Sequence, residues 1–342
     1  MKKILLFIFL LIVCLALFLI WQGIFLPKNP AGKEKIFEIR KGEGIREISF
    51  YLEKEGLIKS RLFFRIYVLL KGFSRKLQAG DYLLSPSMTI PEIVQKFVLG
   101  DTIKEKITII EGWNKKEIAD YLEEKGLIDR EKFFNELKVK DWQEKYDFLR
   151  DKPTEQDIEG YLFPDTYLID YTINFAIAKN VVSAREEKII EKMLNNFDKK
   201  LTPELREEIS RQKKTIFEIV TMASMLEKEV KNFEDKKLVS GILWKRLENG
   251  IPLQVDATIT YITGKKKKEI LVEETEIDSP YNTYKYPGLP IGPISNPGLD
   301  SILAAIYPKE SEFWYYLSTP DGKTIFSKTL EEHNIAKAKY LK

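Results

Sequence analysis

The sequence predicts an α+β protein carried behind a transmembrane helix. Three observations support this: a charge-free apolar stretch at the N-terminus, a helix-and-strand unit that occurs twice, and a long remainder where helical periodicity alternates with proline- and tyrosine-rich segments. The 342 residues, 44% hydrophobic and 31% charged, have the composition of a folded chain of two or three domains. The 55 basic and 52 acidic residues nearly cancel, which excludes the broad basic field of a general nucleic-acid binder. A single cysteine allows no internal disulfide. With a single histidine beside it, Cys/His zinc sites and two-histidine catalysis are also excluded. A bound metal would need oxygen ligands alone, and neither metal nor cofactor is expected. Acid–base chemistry therefore falls to carboxylates.

Residues 4–26 carry no charge and follow Lys2 and Lys3. At 1.5 Å per residue this stretch crosses a hydrocarbon core of roughly 30 Å, and Trp21 stands near its far end, where an indole favours the interface. A cleaved signal peptide would have a shorter apolar region and an A-x-A-like site, which is absent. Cys14, in mid-stretch behind bulky Val13, does not suit a lipoprotein signal. The basic N-terminus predicts a cytoplasmic end, with residues 28–342 outside the cytoplasmic membrane.

Residues 39–64 and 109–134 align without a gap, and 12 of the 26 pairs are identical. This is one supersecondary unit used twice. Each copy opens on a β-rich run and turns at Gly42 or Gly112. An amphipathic helix follows and stops at Gly56 or Gly126, and a second helix starts at Ser60 or Asp129. After the first copy, Asp81–Leu84 reads as a strand, and Thr89 caps a helix with Pro91 in its first turn and Gly100 at its end. The module is either a binding unit or a spacer. Residues 141–154, charged and aromatic, read as a joint.

The remainder, 155–342, predicts the chemistry. EGYLFPDTY (159–167) reads either as a cleft lining or as core with a turn. Helical patterns run over 174–197 and 202–212. The decisive helix is 215–230. On a wheel of about 100° per residue starting at Ile216, Ile219, Val220, Ala223, Leu226 and Val230 share one arc. Glu227 falls inside that arc at about 20°, whereas Glu229 falls at about 220°, toward the polar side. A carboxyl on a buried face loses hydration and holds its proton toward neutrality, as a general acid requires. The competing reading pairs Glu227 with a Lys or Arg. In LQVDATITY (253–261), Gln254 and Asp256 alternate with Leu253 and Val255 as on a strand. Residues 279–298 hold five prolines and three glycines, together with Tyr281, Asn282, Tyr284, Tyr286 and Asn296. A rigid loop presenting rings and amides suits a sugar chain, because little ordering entropy is left to lose. KKKKE (265–269) reads as a solvated loop. The end reads as a hairpin over 313–327, followed by a helix carrying His333, which either reaches the active site or satisfies the surface.

ASMLEKEV, LQVDATITY, the 279–298 loop, the FWYYLSTPDGKTIFSKTLEEHN tail and EGYLFPDTY together resemble the endolytic murein transglycosylases of the YceG-like family. So does a membrane anchor followed by a LysM-like module. The resemblance implies an anchor over 1–27, a LysM-like module over 36–104, a second repeat unit and joint over 105–154, and a catalytic domain over 155–342. It assigns the acid/base to Glu227, the first Glu of E-K-E. Substrate binding is expected at Gln254, Asp256, Tyr281, Asn282, Tyr284, Asn296, Glu159 and Tyr161. The family's usual LQ-S/T-D-P-T-V reads LQVDATI here, with Val255 and Ala257 substituted. The implied reaction is metal-free cleavage of the MurNAc-β-1,4-GlcNAc bond of peptidoglycan with a 1,6-anhydro product, beside wall-synthesis enzymes. The alternatives are a hydrolytic muramidase using Asp256 as second carboxylate, or a glycan-binding scaffold without activity.

Overall fold

A computed structural model describes residues 2–170, 183–265 and 270–341. The chain divides into two compact units: among the described residues, one holds those up to Lys106 and 168–170, the other Ile107–Tyr167 and everything from residue 183 onward. In the first, α1 (Lys2–Phe25) is apolar nearly throughout, and by length and composition it can cross a membrane. Its last turn belongs to the unit's core: Ile24 is buried, Ile20 packs on the cluster, and a Cβ on Gly23 would strike the Phe63 ring. The sequence then makes β1 (Lys35–Ile39), α2 (Ile45–Lys54), α3 (Arg61–Leu70), β2 (Gly80–Leu84) and α4 (Ile90–Leu99).

β1 and β2 pair antiparallel with Phe37 opposite Tyr82, so alternate side chains face α2, α3 and α4. Phe97 of α4 fills the centre, its ring 6.0 Å from Phe37, 6.4 Å from Phe64 and 4.7 Å from Tyr82. The expected punctuation is present. Ser60 caps α3, Thr89 and Glu92 form a capping box, and Gly100 ends α4 in the left-handed region.

The second unit begins within β3 (Lys104–Thr108) and continues through α5 (Lys115–Glu124) and α6 (Arg130–Asn135). The second repeat copy thus packs with the larger unit. Residues 141–154 supply core rather than a joint, since Trp142, Tyr146, Phe148 and Leu149 are buried there. After β4 (Thr166–Asp170) come α7 (Ser183–Lys200), α8 (Pro203–Arg211), α9 (Ile216–Glu229) and α10 (Phe233–Glu248). They are followed by α11 (Asp256–Thr263), α12 (Leu299–Ile306), the antiparallel hairpin β5 (Tyr315–Ser318) and β6 (Thr324–Ser327), and α13 (Leu330–Tyr340). The expected helix over 174–182 and most of KKKKE lie outside the described residues.

One element departs from its expected type. LQVDATITY is not a strand: its extended part ends at Gln254, whose φ of 56° is left-handed, and α11 begins at Asp256. Four alternating residues do not separate a strand from an approach to a helix. The main-chain N–H of Gln254 donates to the Thr283 carbonyl, and that of Val255 to the Thr283 hydroxyl, which fixes the bend.

Truncating the ring at the first unit's centre, Phe97→Ala, is expected to lower stability by about 3–5 kcal/mol. Denaturant unfolding of the full chain measures it, and a loss below about 1 kcal/mol would contradict a core built on that ring.

Candidate active site

The site assembles around the end of α9. The helix is set by a capping box between Thr215 and Glu218, and by a buried face of Ile219, Val220, Met222, Ala223, Met225 and Leu226. Ser224 holds the second half of the 279–298 loop against it: its Oγ accepts from the Ile294 N–H at 3.0 Å, and its carbonyl accepts from the Ser295 hydroxyl. Pro293 packs so close to Gly160 that a Cβ there would stand 2.6 Å away.

The last three residues of α9 point to three neighbours. Glu227 accepts from Lys236 Nζ at 3.1 Å, from the Gly298 N–H at 2.9 Å and from the Ser301 hydroxyl at 2.8 Å. Lys228 Nζ donates to the Gly112 carbonyl. Glu229 accepts from the Ala257 N–H at 3.3 Å and from the Tyr316 hydroxyl at 3.1 Å. Glu229 is half-buried, and burial, with the neighbouring Asp256 charge, pushes its carboxyl up to about 7 against the pull of those two hydrogen bonds. A helical wheel places Glu229 on the polar side, whereas the structure leaves it half-buried. The flank opposite the apolar arc is covered by the N-terminus of α11 and by β5, neither of which a single-helix projection contains. The pairing of Glu227 with a lysine is the arrangement found.

Asp256 is exposed and takes a short hydrogen bond from the Tyr284 hydroxyl, so the expected Asp256 and Tyr284 do meet beside Glu229. Gln254 is exposed on the bend before α11. Arg246, almost buried, donates to the Leu253 and Trp314 carbonyls and lies 5.0 Å over the Tyr315 ring, tying both walls of the Glu229 site together. His333 stacks on the other partner of that wall, with its ring 5.3 Å from Tyr315. Burial and the nearby Lys337 and Arg246 charges lower its pKa, so it supports the wall as a neutral ring.

The remaining expected residues are internal. Tyr161 is fully buried between Phe148 and Phe197. Asn282 is buried, donating to the Thr275 and Ile277 carbonyls and accepting from the Tyr284 N–H. Asn296 is buried too: its amide donates to the Trp113 carbonyl and to Glu159, and its oxygen accepts from the Gly160 and Leu162 N–H groups. Glu159, 2% exposed, also accepts from the Lys115 N–H. These three hold loops rather than face a ligand. Half-buried Tyr281 lies beside Tyr261, 4.9 Å between rings. Sequence reasoning did not single out Tyr316, Arg246 and Lys236, nor the partial burial of Glu229. The E-K-E pattern offered both carboxylates, but nothing in the sequence links position 229 to 316.

Burial pushes Glu159 up to about 7 as well, outweighing Lys115. Its folded pKa lies above the unfolded value, so its stabilising proton is fully held below about pH 4.5 and lost as pH rises through about 7. Stability should therefore fall between pH 5 and pH 8, and Glu159→Gln should reduce that fall. Denaturation midpoints at the two pH values for both proteins test this, and an unchanged difference would contradict it.

A model of the YceG-like family matches residues 37–339. An endolytic murein transglycosylase of Bacillus subtilis (strain 168) is 33% identical over 335 residues, taking in 95% of this chain and 90% of the relative. One from Streptococcus pneumoniae (serotype 2, strain D39) is 32% identical over 323 residues, 86% of this chain and 56% of the relative. A crystal structure of a YceG-like protein from Listeria monocytogenes, 34% identical, matches with a TM-score of 0.59 over 90% of this chain and all of the other.

Proposed function

The chain belongs to the YceG-like family, and on that premise we propose that it is a lytic transglycosylase of peptidoglycan with Glu229 as its acid/base. The observation that carries the assignment is the Glu229 carboxyl: half-buried, pushed up to about 7, and accepting, among the described residues, two hydrogen bonds, both from neutral donors. Such a group holds a proton near neutrality and has a proton to deliver. Glu227, the residue that resemblance nominates, has its oxygens occupied by an ammonium, a main-chain N–H and a hydroxyl. It offers no free edge to a leaving oxygen. The support for the reaction itself is the name that the relatives carry, endolytic murein transglycosylase.

In the proposed mechanism, protonated Glu229 donates to the 4-oxygen of GlcNAc as its bond to C1 of MurNAc breaks. Positive charge develops at C1. The Glu229 carboxylate then takes the proton from the 6-hydroxyl of the same MurNAc, whose oxygen attacks C1 and closes a 1,6-anhydro ring. One carboxyl serves both steps. Tyr316 and the Ala257 N–H orient it, and Asp256, held by Tyr284, contributes the negative potential that raises its proton affinity. Gln254, Asp256, Tyr281 and Tyr284, the exposed or half-buried members of the expected set, are the groups available to sugar rings. Tyr161, Asn282, Asn296 and Glu159 shape the loops behind them.

Glu229→Gln keeps the shape and one acceptor oxygen but removes the proton, and it should lower kcat by about 10²- to 10⁴-fold with the fold intact. In the parent, activity should fall as pH rises past about 7. Product analysis on glycan strands checks both: anhydro ends identify the transglycosylase, reducing ends a muramidase, and no cleavage a scaffold. Near-normal turnover by Glu229→Gln would sink the assignment.

We further propose that α1 is an uncleaved anchor holding both units outside the cytoplasmic membrane, near wall synthesis, and that the β1–α2–α3–β2 arrangement is a LysM-like glycan module. The second unit, including the second repeat copy, would be catalytic. The support is the apolar run of α1 behind two lysines. N-terminal sequencing of the protein from the membrane fraction should begin at or near Met1. A mature end beyond Leu26 would refute the anchor.

A further inference from the structure

Among the buried charged groups, the Glu227–Lys236 pair has no part in the proposed chemistry, yet it sits two residues from the acid. Its side chains are 8% and 5% exposed. An ion pair this buried is tolerated only when its remaining lone pairs are filled, and the Gly298 N–H and the Ser301 hydroxyl fill the second oxygen of Glu227. The pair joins four segments: the end of α9, the next helix α10, and, from far away in sequence, the start of α12 and the turn of the second repeat copy. That turn closes tightly. A Cβ on Gly112 would lie 3.3 Å from Glu227 Cγ, while Lys228 reaches back to the Gly112 carbonyl. The equivalent glycine of the first copy, Gly42, has open space around it. Glu111 and Asp300 are the other carboxyl groups near the pair, and both burial and the Glu227 charge raise the pKa of Glu111.

We propose that the Glu227–Lys236 pair is a positioning device that sets the Glu229 carboxyl against Ala257 and Tyr316, by fixing the last turn of α9 between α10, the start of α12 and the turn at Gly112. This rests on Glu229 as the acid/base. The reasoning is geometric. Residues 227, 228 and 229 are consecutive, and each side chain is bound to a different neighbour. The main-chain carbonyl of Glu229 is also held, by the Ser318 hydroxyl at 2.8 Å. Releasing the Glu227 side lets the turn shift or rotate, and a displacement of about 1 Å at a proton donor costs on the order of 10²-fold in rate.

The test uses the purified full chain on glycan strands, with kcat, KM, a pH profile and a melting curve for Glu227→Gln, Lys236→Met, the double variant and Glu229→Gln. The expected result is a loss of about 10- to 100-fold in kcat for each single variant with KM little changed. The alkaline limb near pH 7 should persist but move. The double variant should recover part of the loss, since it leaves no buried charge without a partner. Wild-type kcat and pH profile in both single variants, with only the melting curve lowered, would overturn the positioning role while leaving Glu229 as the acid. Loss of the alkaline limb in Glu227→Gln together with turnover by Glu229→Gln would instead overturn the acid/base assignment. Should the single variants not fold, Ser301→Ala decides, because it removes one donor from Glu227 without stranding a charge. An unchanged kcat there overturns the proposal, and a severalfold loss sustains it.

Discussion

Asn296 uses every donor and acceptor its amide has, and the site is built outward from that saturation. Its two N–H bonds reach the Trp113 carbonyl and Glu159, and its oxygen gathers the Gly160 and Leu162 N–H groups. Its backbone pairs both ways with the turn at 112–113. One buried side chain thus binds the second repeat copy, the EGYLFPDTY segment and the proline-rich loop into a single support. Burying such a polar group is tolerable only when all its bonds are made together. The prolines restrict the loop so that they can be made.

From that support the loop runs directly to Gly298, whose N–H meets Glu227, and into α12. The opposite wall descends from Arg246, which ties the bend before α11 to the hairpin. The end of α9 lies between two independently braced walls. One carries ammonium and hydroxyl donors. The other carries a phenol that donates to Glu229 and a carboxylate, Asp256, whose charge makes a proton harder to remove from it.

Much of the fold could be read from the residues because it rests on local rules. The caps at Ser60 and Thr89, the stop at Gly100 and the repeat turns are each decided within a few residues. The site was legible only in part. The E-K-E pattern, the loop tyrosines and Asp256 stood out, but a wheel assigns one face to core and the other to solvent. It carries no information about Ala257 and Tyr316, which close over Glu229 from 28 and 87 residues away. For the same reason, polar side chains in the loop look like ligands in the sequence alone. Asn282 and Asn296 are as hydrophilic as any sugar-binding amide, and only burial shows that their partners are the chain's own carbonyls and amides.

The way α1 ends has a mechanical meaning. Its final turn is packed against Phe63, with Ile24 inside the first unit's core, so the end of the helix and the module share one core. A helix that finishes inside a folded core acts as a mast, not a leash. For a chain anchored by that helix, the tilt of the helix in the bilayer is also the tilt of the module. Thermal wandering of the module over the membrane surface is reduced to whatever rocking the lipid allows.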